Sequence, residues 1–188
     1  MYSKANPDGY ALALYELLKE QKLIKKTYDF FTDFYDYINQ DNTLVMCLSN
    51  NTIKKEEKYK IVDDIYPKLS ISKDTKLFSN FLKVLIERDR ANLLNRIIEA
   101  YLTFAEKELN IARGKIYTAY PLSKEKLNKI IAKLEKSENK TIILKDYIDK
   151  DLISGFKIVL GNKIIEQNME TDLQKLLLIL TRKGGLNG

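Results

Sequence analysis

The chain is predicted to be mainly α-helical, with an N-terminal bundle of about six helices followed by a small α+β unit of order β-α-β-β-β-α. Three observations carry this. Over roughly the first 110 residues, apolar positions recur at three- and four-residue spacing between short polar turns. After Gly114 the period changes and short β-branched and aromatic runs begin. The stretch Leu152–Leu177 then parses as strand, tight turn, strand and helix start. Domains are accordingly set at 1–110 and 111–188.

Each helix has its own signals. Asn6-Pro7-Asp8-Gly9 is a turn, after which Tyr10, Ala13, Leu14, Leu17 and Leu18 form a stripe ending near Glu20-Gln21. Ile24, Tyr28, Phe31, Tyr35 and Ile38 mark the second helix, widened by Phe30, Phe34 and Tyr37. Its helical, continuous spacing points to core packing rather than a base-stacking platform. Asp29, Asp33 and Asp36 lie opposite, at i, i+4 and i+7. With no second acidic cluster or Gly-rich calcium loop, they read as a solvated face or a contact for a basic partner rather than a cation site.

Asp41-Asn42-Thr43 opens a short apolar helix that ends at Ser49-Asn50-Asn51. Thr52 is the expected cap of the next, which carries Tyr59, Ile61, Val62 and Ile65 and is broken by Pro67. Ser72 or Asp74 caps a fifth helix with Leu77, Phe78, Phe81, Leu82, Val84 and Leu85. A charged junction, Glu87-Arg88-Asp89-Arg90, precedes a long helix from Leu94 to Leu109.

In the second unit, Lys115–Tyr120 is a strand stopped by Pro121. Ser123 caps a helix bearing Leu127, Ile130, Ile131 and Leu134, and Thr141–Ile148 is the next strand. Phe156–Leu160 and Lys163–Gln167 flank Gly161-Asn162, a two-residue hairpin turn. Asn168 then caps a terminal helix carrying Leu173, Leu176, Leu177 and Leu180, with Glu170 and Asp172 in its first turn.

Composition removes whole classes of function. The chain of 188 residues contains no histidine and one cysteine, Cys47. The commonest acid-base residue, the usual triads, nearly every zinc site and any internal disulfide are therefore excluded. Cys47 sits in the apolar run Leu44–Leu48 and reads as a small core residue. No Gly-rich phosphate loop, nucleophile elbow or paired-carboxylate motif is present, so enzymatic activity is not expected and no cofactor is implied. No apolar run reaches the ~18 residues of a membrane span. The N-terminus lacks a basic-then-apolar leader, so the protein is expected to stay in the compartment where it is made.

The net charge of +6 raises the question of nucleic acid. Arginine occurs only at Arg88, Arg90, Arg96, Arg113 and Arg182, and the rest of the excess is lysine alternating with acids, as on solvated helix faces. An RNA-binding protein using Tyr117, Tyr120, Tyr147 and Phe156 of the C-terminal unit is the competing reading.

Several segments carry a family resemblance. Ala119-Tyr120-Pro121-Leu122-Ser123, Asp149–Ile158, Gly161 and Ile165-Glu166 resemble the C-terminal half of the delta subunit of F-type ATP synthases, whose mitochondrial counterpart is the oligomycin-sensitivity-conferring protein. Tyr10–Leu17 is similar to that family's first helix, and Asn80–Arg90 to the helix before its Gly-Arg junction. Glu166 and Asn168 stand where Asp and Ser are frequent, and Arg88-Asp89-Arg90 replaces the usual Asn-Gly-Arg.

The resemblance implies a non-catalytic stator subunit that ties the catalytic head to the peripheral stalk and resists rotary torque. It implies two partners, the N-terminal helices of the alpha subunits and the C-terminal end of the b subunits, with no nucleic acid and one copy per complex. Membrane association would come only through the complex, at the cytoplasmic face of the cell membrane. The alpha-helix groove would fall on Tyr10, Ala13, Leu14 and Leu17 opposite Asn80, Phe81 and Val84. Ala13 is small enough to admit a helix, and anchors at i and i+4 suit helix-in-groove recognition. The alternative, that each of these residues faces the bundle's own core, stands beside it. For the stalk, the candidates are the strand–hairpin surface and terminal helix, including Phe156, Ile158, Leu173, Leu176 and Leu177, most of which so small a domain needs as core.

Overall fold

A computed structural model describes residues 6–65, 76–152, 155–161 and 163–167. The chain divides into two compact units, Met1–Ala105 and Glu106–Gly188.

The first unit is helical: α1 (Pro7–Glu20), α2 (Ile24–Gln40), α3 (Thr43–Ser49), α4 (Lys55–Ile65), α5 (Lys76–Glu87), a single 3₁₀ turn (Ala91–Leu93) and α6 (Leu94–Leu109), within which the division between units falls. Asn6 caps α1 by accepting from the Asp8 N–H at 3.1 Å, with Pro7 in the first turn. Two helices end in the same way. The Leu23 N–H bonds to the Leu18 carbonyl and the Lys22 N–H to that of Lys19. In α5 the Arg90 and Asp89 N–H groups reach the Leu85 and Ile86 carbonyls. Both are Schellman closures, and their pivots, Lys22 and Asp89, carry φ of 57° and 52°. The charged junction expected at 87–90 is thus a left-handed helix stop.

The core of this unit is aromatic at its centre. The Phe78 ring meets Phe31, Phe34 and Phe30 edge-on at 5.0, 5.1 and 5.5 Å, and Phe31 reaches Tyr101 at 4.5 Å. Leu14, Leu18, Ile38, Leu48, Leu85 and the α6 face Leu94–Leu102 close around it. The α2 stripe therefore packs inward, as its spacing predicts. One cap expectation is corrected: α4 begins at Lys55, and Thr52 instead lies in a turn, its N–H and hydroxyl both bonded to Asn50 Oδ1 at 2.9 and 2.8 Å. Asn50 outcompetes Thr52 because its side chain closes the turn two residues on. The segment holding Pro67, Ser72 and Asp74 lies outside the described residues.

In the second unit β1 (Ile111–Thr118), α7 (Lys124–Glu138), β2 (Thr141–Ile148), β3 (Phe156–Leu160) and β4 (Lys163–Gln167) form a sheet of order β2-β1-β3-β4. β1 and β2 are parallel, joined through α7, while β3 runs antiparallel to both β1 and β4. Ser123 caps α7 by accepting from the Lys126 N–H at 3.3 Å. Gly161 turns the hairpin with φ of 57°.

The first strand begins earlier than Lys115. Asn110, at φ 53°, ends α6, accepts from the Thr141 N–H at 3.0 Å and donates to the Asn139 carbonyl at 3.0 Å. Pairing starts at once, with Ile111 beside Thr141. Arg113 and Gly114 are inside β1, and Gly114 is there because a Cβ would stand 2.5 Å from the Val159 carbonyl oxygen. Tyr120 falls beyond the strand. The terminal helix expected after Asn168 lies outside the described residues.

Candidate partner-binding surfaces

The helical unit sorts the seven groove residues into two depths. Leu14 is 1% exposed and Phe81 9%, both in the core. On α1, Ala13 is exposed and Tyr10 and Leu17 are half-buried, at i, i+3 and i+7 along one ridge. On α5, Asn80 is exposed and Val84, one turn on, is 49% exposed. α1 packs closely on α2, and α5 on α4 and the 91–93 turn. The α1 and α5 ridges thus each present small or apolar side chains to solvent above a buried layer. Leu12, at 42% exposed, adds an apolar position on α1 that the stripe pattern did not single out.

Beside the α5 ridge a polar seam fixes α4 on α5. Lys83 pairs with Asp63 at 2.7 Å, and Lys55 with Glu87 at 3.2 Å. Tyr59 donates to Glu87 as well. The hydrogen bond to Glu87 pushes the Tyr59 phenol up to about 12, and Tyr59 followed by Lys55 holds the Glu87 carboxyl below its ordinary value. Buried Tyr101 is likewise pushed up to about 12, by desolvation. The Thr27 side chain opposes that shift, although no acceptor meets hydrogen-bond geometry at the phenol. These are structural groups, not a reaction centre. Among the described residues no group of three or more potential ligands could hold a metal ion, and none of the α2 acids joins one. A surface depression lined by Pro7, Asp8, Arg96, Glu99, Ala100 and Thr103 contains none of the groove residues.

The sheet of the second unit has two unlike faces. Ile116, Ile142, Phe156, Ile158 and Leu160 pack with Ile130 and Leu134 of α7 into its core. Phe156 and Ile158, named among the stalk candidates, are therefore core residues, at 8% and 0% exposed. Residues of opposite parity line the other face. Lys145, Lys115, Val159 and Ile164 stand side by side across the four strands. Tyr147, Tyr117, Lys157 and Glu166 form the next row. The Tyr117 and Tyr147 rings stack at 5.5 Å, and the Lys115 ammonium lies 5.7 Å from the Tyr147 ring. The sequence named the strand–hairpin surface and both tyrosines, but not which residues share this face, because that depends on register. The strand alternation alone held the signal. The four aromatic residues of the RNA reading do not share it: Phe156 is on the core face and Tyr120 is outside the strand.

Comparison with known proteins gives one consistent result. A family model described as "ATP synthase delta (OSCP) subunit" matches residues 8–180. The chain is 44% identical over 189 residues to the ATP synthase subunit delta of Mycoplasmopsis agalactiae, covering all of both chains. It is 31% identical to that of Caldanaerobacter subterraneus subsp. tengcongensis, covering 89% of this chain and 92% of the relative. A chain in the cryo-EM structure of the Toxoplasma gondii mitochondrial ATP synthase hexamer shares the fold, with a TM-score of 0.67 at 17% identity, over 95% of this chain and 98% of that one.

Proposed function

The chain belongs to the ATP synthase delta (OSCP) subunit family, and from that premise we propose that it is a non-catalytic stator subunit of an F-type ATP synthase. It holds the catalytic head against the torque of the rotating shaft during proton-coupled synthesis or hydrolysis of ATP. The helical unit takes an alpha-subunit N-terminal helix, and the C-terminal unit takes the end of the b subunits. One copy serves each complex, and the protein meets the cytoplasmic face of the cell membrane only through that complex.

The observation that supports this most directly is the exposed ridge chemistry of the helical unit. Ala13 and Val84 face solvent, flanked by Tyr10, Leu17 and Asn80, with Leu14 and Phe81 forming the layer beneath. Burying a few such side chains at about 1.5–3 kcal/mol each leaves a useful surplus after association costs of at least ~4 kcal/mol. Holding a head against torque calls for that kind of contact and for no reacting group.

The test is a titration of the full chain with a synthetic peptide of the alpha-subunit N-terminus from the same organism. Binding at micromolar concentration or tighter is expected, and Val84→Asp weakens it at least tenfold without changing the fold. No complex at tens of micromolar with the wild-type chain rejects the assignment.

A further inference from the structure

β2 is an edge strand, and its outer side presents backbone groups to solvent. The Thr141 N–H donates to the Asn110 carbonyl next to β1, and in a parallel ladder every second residue bonds the same neighbour. Odd-numbered residues of β2 therefore serve β1, while Ile142, Leu144, Asp146 and Ile148 turn their N–H and C=O groups outward. Glu135 Oε1 accepts the first of these, the Ile142 N–H, at 3.1 Å. Among the described residues no strand lies beyond. The edge is also long and apolar. Its eight residues pair with β1 with no bulge and no proline, and Ile143, Tyr147 and Ile148 are 37%, 36% and 58% exposed. Protein edges are ordinarily short, bent or heavily charged, which prevents strand addition.

We infer that this edge is a self-association site: outside any larger assembly, two copies of the chain join β2 to β2 in antiparallel fashion and extend the four-stranded sheet to eight. The occupant follows from the strand's own sequence. A two-fold axis perpendicular to the sheet keeps the α7 face and the open face of both copies in common, so only residues of equal parity oppose each other. With the axis at Lys145, Leu144 of one copy and Asp146 of the other exchange both backbone bonds. The same register sets Ile143 against Tyr147 on the open face and Ile148 against Ile142 on the other. All three exposed apolar residues of the edge thereby gain an apolar neighbour. An axis at Leu144 would set Ile143 against Lys145 and Ile148 against Lys140, and an axis at Asp146 would set carboxylate against carboxylate. One opposed pair is unfavourable even in the best register. Lys145 meets its own copy across the axis, and that repulsion keeps the pairing weak and reversible. The pairing is independent of the stator reading, in which a single copy is engaged.

The test uses the full chain. In sedimentation velocity the wild type should pass from monomer to dimer between about 1 and 200 µM. Ile148→Lys should raise the dissociation constant about tenfold, as an added charge on an edge does, and Lys145→Thr should lower it. Register is read by cross-linking in a Cys47→Ser background with oxidised glutathione. Residues opposed on the axis in a non-hydrogen-bonded pair lie about 4.5 Å apart at Cα, within disulfide range. Lys145→Cys should therefore give a linked dimer, and Ile164→Cys, exposed on β4, should link far more slowly.

A wild-type chain that stays monomeric across that range overturns the inference. So does a dimer that Ile148→Lys leaves intact, or one whose Lys145→Cys form links no faster than Ile164→Cys. A thermal midpoint lowered by several degrees in monomeric Ile148→Lys makes the chain's own residues the cover of this edge and overturns it as well.

Discussion

Tyr59 on α4 donates its hydroxyl hydrogen to the carboxylate of Glu87 at the last residue of α5, and the same carboxylate receives Lys55. Twenty-eight residues separate the two in sequence, so the contact ties the start of one helix to the end of the other. The effect on pH follows from both shifts. Glu87 is lowered from 4.5, so its contribution is present above that value and fades as pH falls through its folded value. Tyr59 is raised from 10.0 to about 12, so its contribution is complete below pH 10 and fades as pH rises toward 12. The urea midpoint of Tyr59→Phe should therefore lie below wild type between about pH 5 and 9, and the gap should narrow as pH falls through the lowered Glu87 value and as it rises from 10.0 toward about 12. A gap independent of pH contradicts this.

The two Schellman stops differ in their residue. Lys22, at φ 57°, bears the full cost of a β-carbon in that region, whereas Asp89, at φ 52°, tolerates it better. Lys22→Gly should stabilise the chain by about 0.5–1 kcal/mol, and Asp89→Gly by less. Equilibrium urea unfolding measures both, and the expected order is Lys22→Gly above Asp89→Gly above wild type.

Gly114 is held by the approach of β3. A methyl group there would stand 2.5 Å from the Val159 oxygen and 2.9 Å from Leu160 Cδ1. Gly114→Ala should cost about 1–3 kcal/mol, as overpacking does. Amide exchange should accelerate in β1 and β3 and stay unchanged in α2, which belongs to the other unit.

Phe78 is the hub of the aromatic core, edge-on to three phenylalanines and only 5% exposed. Phe78→Ala should destabilise by about 3–5 kcal/mol. Phe30→Ala, removing a half-buried ring, should cost less. Thermal or urea unfolding distinguishes them, and equal losses contradict the packing described.

How much of this was legible in the chain differs by element. The hairpin turn at Gly161, the Ser123 cap and the α6 end at Leu109 are local, and each was readable because one residue's backbone or side chain decides it. The start of β1 was not. Asn110-Ile111-Ala112-Arg113-Gly114 looks like a helix exit, and only pairing with residues thirty positions downstream makes it a strand. Thr52 failed as a cap because Asn50, two residues earlier, claims its hydrogens.

By itself the sequence determined the helix-then-sheet order, the family and the absence of histidine chemistry, since periodicity, turn residues and composition are properties of the chain alone. Which apolar residues are left uncovered was decided only in three dimensions. Helical spacing puts Ala13 and Leu14 in one stripe, yet Leu14 is 1% exposed and Ala13 faces solvent. Strand alternation makes two faces of β2, and only the register and the position of α7 bury Ile142 and leave Ile143 open. A pattern fixes direction around an element's own axis, whereas exposure depends on what packs against it.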